Sequence, residues 1–120
     1  MENAPMPDMV AYKVLLADEM VQLETDGSFA GAPIDLADGY IHMSTAAQLG
    51  ETIARHFAGK DDLSVVAVDL SVLGDALRWE PSRGGELFPH LYGALTLDSV
   101  LAYGPLDHEP DGSIRLPVAG

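Results

Sequence analysis

The chain contains no cysteine. That single absence excludes a disulfide framework, a thiolate-bound metal and a thiol nucleophile together. Fixed positive charge is almost as scarce. Lys13, Arg55, Lys60, Arg78, Arg83 and Arg115 are the only six Lys and Arg residues, against 19 Asp and Glu, for a net charge of −13 at pH 7. Nucleic-acid binding draws its affinity from neutralising phosphates with such cations, so no nucleic-acid partner is expected. The same charge disfavours an anionic membrane surface. Long apolar runs are also missing, since none approaches the roughly 20 residues that span a bilayer. Residues 1–8, with Pro5 and Pro7 among polar neighbours, lack the basic head and apolar core of a secretory signal and read as a loose tail. These absences fit a cytoplasmic protein whose natural partner is a small molecule, and nothing in them argues for or against self-association.

The 120 residues that remain to be explained are 48% apolar and 21% charged, the balance of an ordinary globular protein. This length suits one domain, and residues 9–120 are expected to form a single α+β unit. Val10–Leu16 reads as a first strand, rich in β-branched and aromatic side chains. Asp18 offers an N-cap for a short helix over about 18–24. Gly27, Gly31, Pro33 and Gly39 punctuate a stretch expected to be a surface loop over 27–39. Tyr40–Ser44 follows as a strand whose alternation sends Ile41 and Met43 to the core and Tyr40, His42 and Ser44 to the opposite face.

The best-marked element is the main helix over about 45–58. Thr45 and Gln48 have capping-box spacing, and Leu49, Ile53 and Phe57 form an apolar stripe every fourth residue. Leu63–Leu70 is almost continuously apolar and predicts a central buried strand. Leu77–Glu80, Leu87–Gly93, Val100–Tyr103 and Ser113–Leu116 are the remaining strand candidates, and Pro89 places the second of them at a sheet edge or bend.

Polar side chains gather in three of these segments: His42 and Ser44, Glu80 beside Trp79, and His90 with Tyr92. Strand alternation puts His42 and Ser44 on a shared face of their strand, and likewise His90 and Tyr92 on a shared face of theirs. If the segments border one cleft, it holds two imidazoles, two hydroxyls and a carboxylate. Each residue also has a structural reading: Ser44 as a helix cap, Glu80 as a solvated strand-end charge, Tyr92 and Trp79 as core aromatics, Tyr12 with its facing open. No glycine-rich phosphate loop, Gly-x-Ser-x-Gly elbow or helical His-x-x-x-His pair is present. His42, His90 and Glu80 have ligand types suited to a two-histidine, one-carboxylate metal site, although no spacing demands one and no metal is assigned.

Asp38–Thr45, Leu77–Glu80 and Phe88–Gly93, with the Tyr12–Leu15 strand and the Asp62-Leu63 lead into the central strand, resemble the family called domain of unknown function 952. That family is similar in fold to the ADP-ribosyltransferase superfamily, whose members bind NAD in a cleft between two small, bent β-sheets. The resemblance implies a split-sheet α+β fold, NAD or a related nucleotide as ligand, and transferase or NAD glycohydrolase chemistry. It also distributes roles. Tyr12-Lys13 falls where such enzymes carry a His or Arg on the first strand, Ser44-Thr45 matches the second-strand feature, and Glu80 or Glu86 supplies the late carboxylate. On this reading Glu80 and His42 are catalytic, while Tyr12, Lys13, Ser44, Thr45, His90 and Tyr92 bind the ligand. The alternatives are a non-catalytic module for another metabolite or a protein partner, and a metal-dependent enzyme built on His42, His90 and Glu80.

Overall fold

The apolar run in the middle of the chain organises the molecule. The computed structural model describes residues 9–117, so the expected tail over 1–8 and the last three residues of the expected domain lie outside the described residues. In chain order the elements are β1 (Val10–Leu15), α1 (Ala17–Asp26), β2 (Ser28–Phe29), α2 (Pro33–Asp38), β3 (Ile41–His42), α3 (Ala46–His56), β4 (Ser64–Asp69), β5 (Leu77–Pro81), β6 (Leu87–Leu91), β7 (Leu95–Thr96), β8 (Val100–Pro105), β9 (Asp107–His108) and β10 (Ile114–Arg115). The α+β class expected from the sequence is the observed one.

Two three-stranded antiparallel sheets carry the fold, with orders β1-β4-β8 and β3-β6-β5. Strand β4 is central in the first, and its Val65, Val66, Ala67 and Val68 are all buried, as a strand covered on both faces requires. One face, through Ala11, Leu15, Val66 and Val68, packs on Met20 and Leu23 of α1 and on Ile41, Met43 and Leu91 of the second sheet. The other face, through Val14 and Val65, packs on Leu49, Ile53 and Phe57, the stripe of α3. Two-stranded pairs β2-β7 and β9-β10 complete the structure.

The main helix starts as its capping box requires. Gln48 N–H donates to Thr45 Oγ1 at 3.3 Å, and Thr45 N–H donates to Gln48 Oε1 at 3.0 Å. Gln48 then spends its Nε2 on the Leu87 carbonyl at 2.8 Å, which ties the start of α3 to β6.

Three expectations need correction. The short helix α1 covers Ala17–Asp26 rather than about 18–24, because Glu19 Oε1 caps the Leu16 amide at 2.8 Å and moves the start ahead of Asp18. The stretch 27–39 is no plain surface loop, since it holds β2 and a third helix, α2. Pro33 at the first helical turn has the right φ and no amide to satisfy, Asp35 accepts from the Ala32 amide at 2.8 Å, and Gly39 closes the helix at φ 91°. Strand β6 is central rather than an edge, despite Pro89. The sheet tolerates the proline because its neighbour stops there. Met43 N–H donates to the Pro89 carbonyl at 3.1 Å, and the reciprocal bond, for which proline has no donor, is missing at the point where β3 ends.

That missing bond positions the site. Beyond it the chain leaves the second sheet and meets the first, where Ser44 and Tyr12 form an isolated antiparallel bridge with N···O distances of 2.7 and 2.9 Å. Among the described residues, this bridge at the edge of β1 joins the two sheets.

Candidate functional site

Tyr12 turns both its amide and its carbonyl toward Ser44, so by strand alternation Val14 turns its own pair toward the same edge. β3 does not follow that far, and a cavity of about 380 Å³ opens between the diverging segments. Its walls are mostly apolar, with Val14, Leu49, Phe57 and Phe88 among them; Lys13, His42, Ser44 and His90 bring polar groups from the strands, and Glu19, Thr52, His56 and Lys60 bring others from the helices and their ends. The helix α2 closes one side through Pro33 and Ile34.

The cross-strand register explains why the histidines meet. His42 stands opposite His90, and His90 stands opposite Arg78. Alternation then puts Tyr40, His42, His90, Tyr92, Arg78 and Glu80 on one face of the second sheet, and Ile41, Leu91, Leu77 and Trp79 on the core face. Rings on the polar face touch in series. Tyr40 stacks on His90 at 4.1 Å and approaches His42 at 4.7 Å and Tyr92 at 5.1 Å, while Arg78 lies over the Tyr92 ring at 4.5 Å.

The side chain that holds His42 is Asp35, which the sequence reading passed over. It is 1% exposed. Its Oδ1 accepts from His42 Nδ1 at 2.6 Å and from the His42 amide at 3.1 Å, and its Oδ2 accepts from the Ala32 amide at 2.8 Å and lies 3.0 Å from Lys13 Nζ. Burial alone would raise this carboxyl. The bond from His42, the charge of Lys13 and the two backbone amides outweigh it and hold Asp35 at about 2. On its far side His42 Nε2 lies 2.9 Å from Asp38 Oδ2. Each ring nitrogen of His42 therefore faces a carboxylate oxygen. Gly31 lets this corner close, because at φ 134° it has no Cβ to strike Asp35, 2.9 Å away.

His90 is arranged otherwise. It is 2% exposed, and its Nδ1 lies 2.7 Å from Glu80 Oε1. The Tyr92 hydroxyl donates to both Glu80 oxygens, at 2.9 and 3.1 Å. Hydrogen bonds from His90 and then Tyr92 pull the Glu80 carboxyl below the usual range. The bond to Glu80, followed by desolvation, pushes the Tyr92 phenol up, and desolvation with the charges of Asp38, Glu80 and Asp35 pushes Tyr40 up. Both phenols therefore stay neutral donors at ordinary pH.

Of the residues singled out from the sequence, Tyr12, Lys13, His42, Ser44 and His90 line the cavity. Glu80 and Tyr92 stand behind His90 on the polar face of the second sheet. Thr45 spends its hydroxyl as the cap of α3, and Ser44 Oγ lies 2.8 Å from Thr52 Oγ1 inside the cavity wall. Glu86 is exposed, and its carbonyl closes a turn with the Ser82 amide. Lys13, expected among the ligand-binding residues, pairs with Asp35. The metal alternative loses its geometry: Glu80 binds Nδ1 of one histidine while the other faces Asp35 and Asp38, and among the described residues no three such side chains are placed to hold a metal ion. Nor, among them, is any helix long and apolar enough to cross a membrane. The sequence signal for Asp35 was present in Pro33 at a helix start, an acid two residues later, and Gly39 at the stop.

Comparison with known proteins places the chain in a family. A family model described as a protein of unknown function, DUF952, matches residues 14–103. A crystal structure of CC0527 from Caulobacter crescentus is 42% identical, with a TM-score of 0.80, over 89% of this chain and 94% of that one. A solution NMR structure of the same protein is 41% identical, with a TM-score of 0.75, over 89% of this chain and 91% of that one. No curated protein matches.

Proposed function

The chain belongs to the DUF952 family, and from that premise we propose that it is a small-ligand-binding domain whose cavity takes a flat heteroaromatic group of about nucleoside size. The observation that carries this reading is the cavity itself, mostly apolar in its walls, with polar groups converging on it where the two sheets part. Ligand sites commonly run from roughly 300 to 1,000 Å³ with this division of labour between apolar shape and sparse polar contacts. At about 380 Å³ the space fits one ring system with its sugar rather than a whole dinucleotide.

The likeness to ADP-ribosyltransferases supplies the first ligand to test, the nicotinamide end of NAD or a related nucleotide. Three features of this chain support it. Val14 offers an edge amide and carbonyl, a pair matched to a carboxamide. Phe57, Phe88 and Tyr12 supply aromatic wall. Lys60, at the rim in a chain with only six fixed cations, suits a phosphate outside the cavity. Tyr12, His42, Ser44 and His90 are the proposed contacts, with Lys13 acting through Asp35 and Thr45 through the helix it caps. Glu80 and Tyr92 act on the ligand through His90. A nucleic acid or an anionic membrane suits none of this, because the cations are too few.

Isothermal calorimetry with NAD, ADP-ribose and nicotinamide tests the reading. Saturable binding by at least one is expected, together with its loss in Ile34→Trp. That variant puts a bulky ring at the cavity rim from a half-exposed position and should melt within a few degrees of the parent. Absence of saturation with all three at millimolar concentration would remove NAD-type ligands from consideration.

A further inference from the structure

The second histidine at the cavity holds an atom with nothing to bond. Glu80 is ionised, held so by His90 and Tyr92, and an ionised carboxylate only accepts. The proton of the 2.7 Å bond therefore sits on His90 Nδ1, and a neutral imidazole protonated there carries its lone pair on Nε2. Among the described residues no hydrogen bond is made to Nε2, although the residue is 2% exposed. Buried polar atoms are nearly always hydrogen-bonded, and an exception beside a cavity marks an atom open to water, an ion or a ligand. Glu80 takes the Nδ1 edge and Tyr40 covers one ring face at 4.1 Å, which leaves the rest of the ring, Nε2 included, for the cavity that His90 lines.

We propose that Glu80 and His90 form a carboxylate–imidazole dyad that fixes one acceptor, His90 Nε2, in the cavity wall, and that the cavity selects heteroaromatic ligands bringing an N–H or O–H donor to it, carboxamides and lactams before esters and ketones. Glu80 is the positioning residue in this arrangement. Its carboxylate sets the tautomer and ring orientation from outside the cavity, much as a carboxylate behind a metal-bound histidine sets which nitrogen is free. Tyr92, with its hydroxyl on both carboxylate oxygens, keeps Glu80 from turning away. The assignment rests on reading the cavity as a small-ligand site, and it adds what that ligand must present.

The experiment has two arms, one of them read without any ligand. Long-range proton–nitrogen correlation spectra of the full chain at neutral pH are expected to show His90 protonated at Nδ1 with Nε2 bare. The pattern should persist in Glu80→Gln, whose amide oxygen still accepts, and should move to the Nε2-protonated form in Glu80→Met. A wild-type His90 protonated at Nε2, alone or on both nitrogens, would overturn the dyad. In the second arm, nicotinamide and methyl nicotinate, alike in shape but differing in the donor, are titrated at millimolar concentration by the same spectroscopy. Nicotinamide should bind roughly tenfold more tightly, and the ratio should approach one in Glu80→Met. Equal binding of the pair to the wild type would overturn the acceptor role while leaving the cavity reading intact. Binding of neither would overturn the ligand assignment and the cavity reading together, with the tautomer spectra separating that failure from a failure of the dyad.

Discussion

Two histidine–carboxylate pairs lie side by side in this molecule, with ring centres 5.6 Å apart, and they are built for different work. His42 is saturated. Both nitrogens face acids, and the inner one, Asp35, is buried and also collects Lys13 and two backbone amides. His90 is more deeply buried than His42 but only half satisfied, and its acid, Glu80, is a third exposed. The first pair staples α2 to β1 and β3 and so builds a wall of the cavity. The second leaves an acceptor in that wall. The same two residue types thus give a latch where every atom is spent, and a recognition group where one is withheld.

The largest effect that would break this contrast comes from removing the latch. Asp35→Ala leaves Lys13 buried without a partner, and breaking one side of a buried ion pair typically costs about 3–5 kcal/mol. Urea unfolding should show that loss, whereas Glu80→Ala, at a partly exposed carboxylate, should cost clearly less. Comparable losses in the two variants would erase the distinction between latch and acceptor. A gentler probe of the same pair is acid. The folded pKa of Asp35, about 2, lies below the ordinary 3.8, so its contribution is complete above about pH 4 and is lost as pH falls toward 2. The difference amounts to about 2–3 kcal/mol. Urea midpoints measured across that window should fall steeply in the parent and less steeply in Asp35→Asn. Equal slopes would mean that other carboxylates carry the acid sensitivity.

The contrast was only half legible in the sequence. Strand alternation paired His90 with Tyr92, because strand residues two apart share a face whatever they pack against, whereas Glu80 stood out as a carboxylate on a separate strand candidate and as the late acid that the family resemblance implies. The capping box at Thr45 and the stripe on α3 were equally plain, being local signals. Asp35 was hidden for the opposite reason. A six-residue helix has too few turns for periodicity, and its start signal, Pro33 with an acid at the third position, lies among glycines that read as loop. What makes Asp35 matter is Lys13, 22 residues earlier, and no local pattern links them. Glu80 was legible as a functional side chain, but not as one acting through His90, since that depends on which strand lies beside which. Pro89 misled for a related reason. The rule that proline avoids central strands holds for strands whose neighbours run on, and β3 does not.

That last point gives the smallest and sharpest prediction. If the missing amide of Pro89 is what lets residues 43–44 leave the second sheet for the bridge with Tyr12, alanine in its place supplies a donor directed at the Met43 carbonyl. The gain of one hydrogen bond is worth about 1 kcal/mol, and the loss of proline's restriction on the unfolded chain costs about 0.4–1 kcal/mol. Pro89→Ala should therefore change stability by less than about 1 kcal/mol, too little for unfolding curves to decide the matter. Hydrogen exchange can decide it, because the amide that the substitution introduces should be protected to the degree of its strand neighbours. The Tyr12 and Ser44 amides, if β3 is thereby drawn one residue further along β6, should exchange faster than in the parent. An unprotected amide at the substituted position would show that the sheets part for some other reason, and that the cavity does not owe its position to the proline.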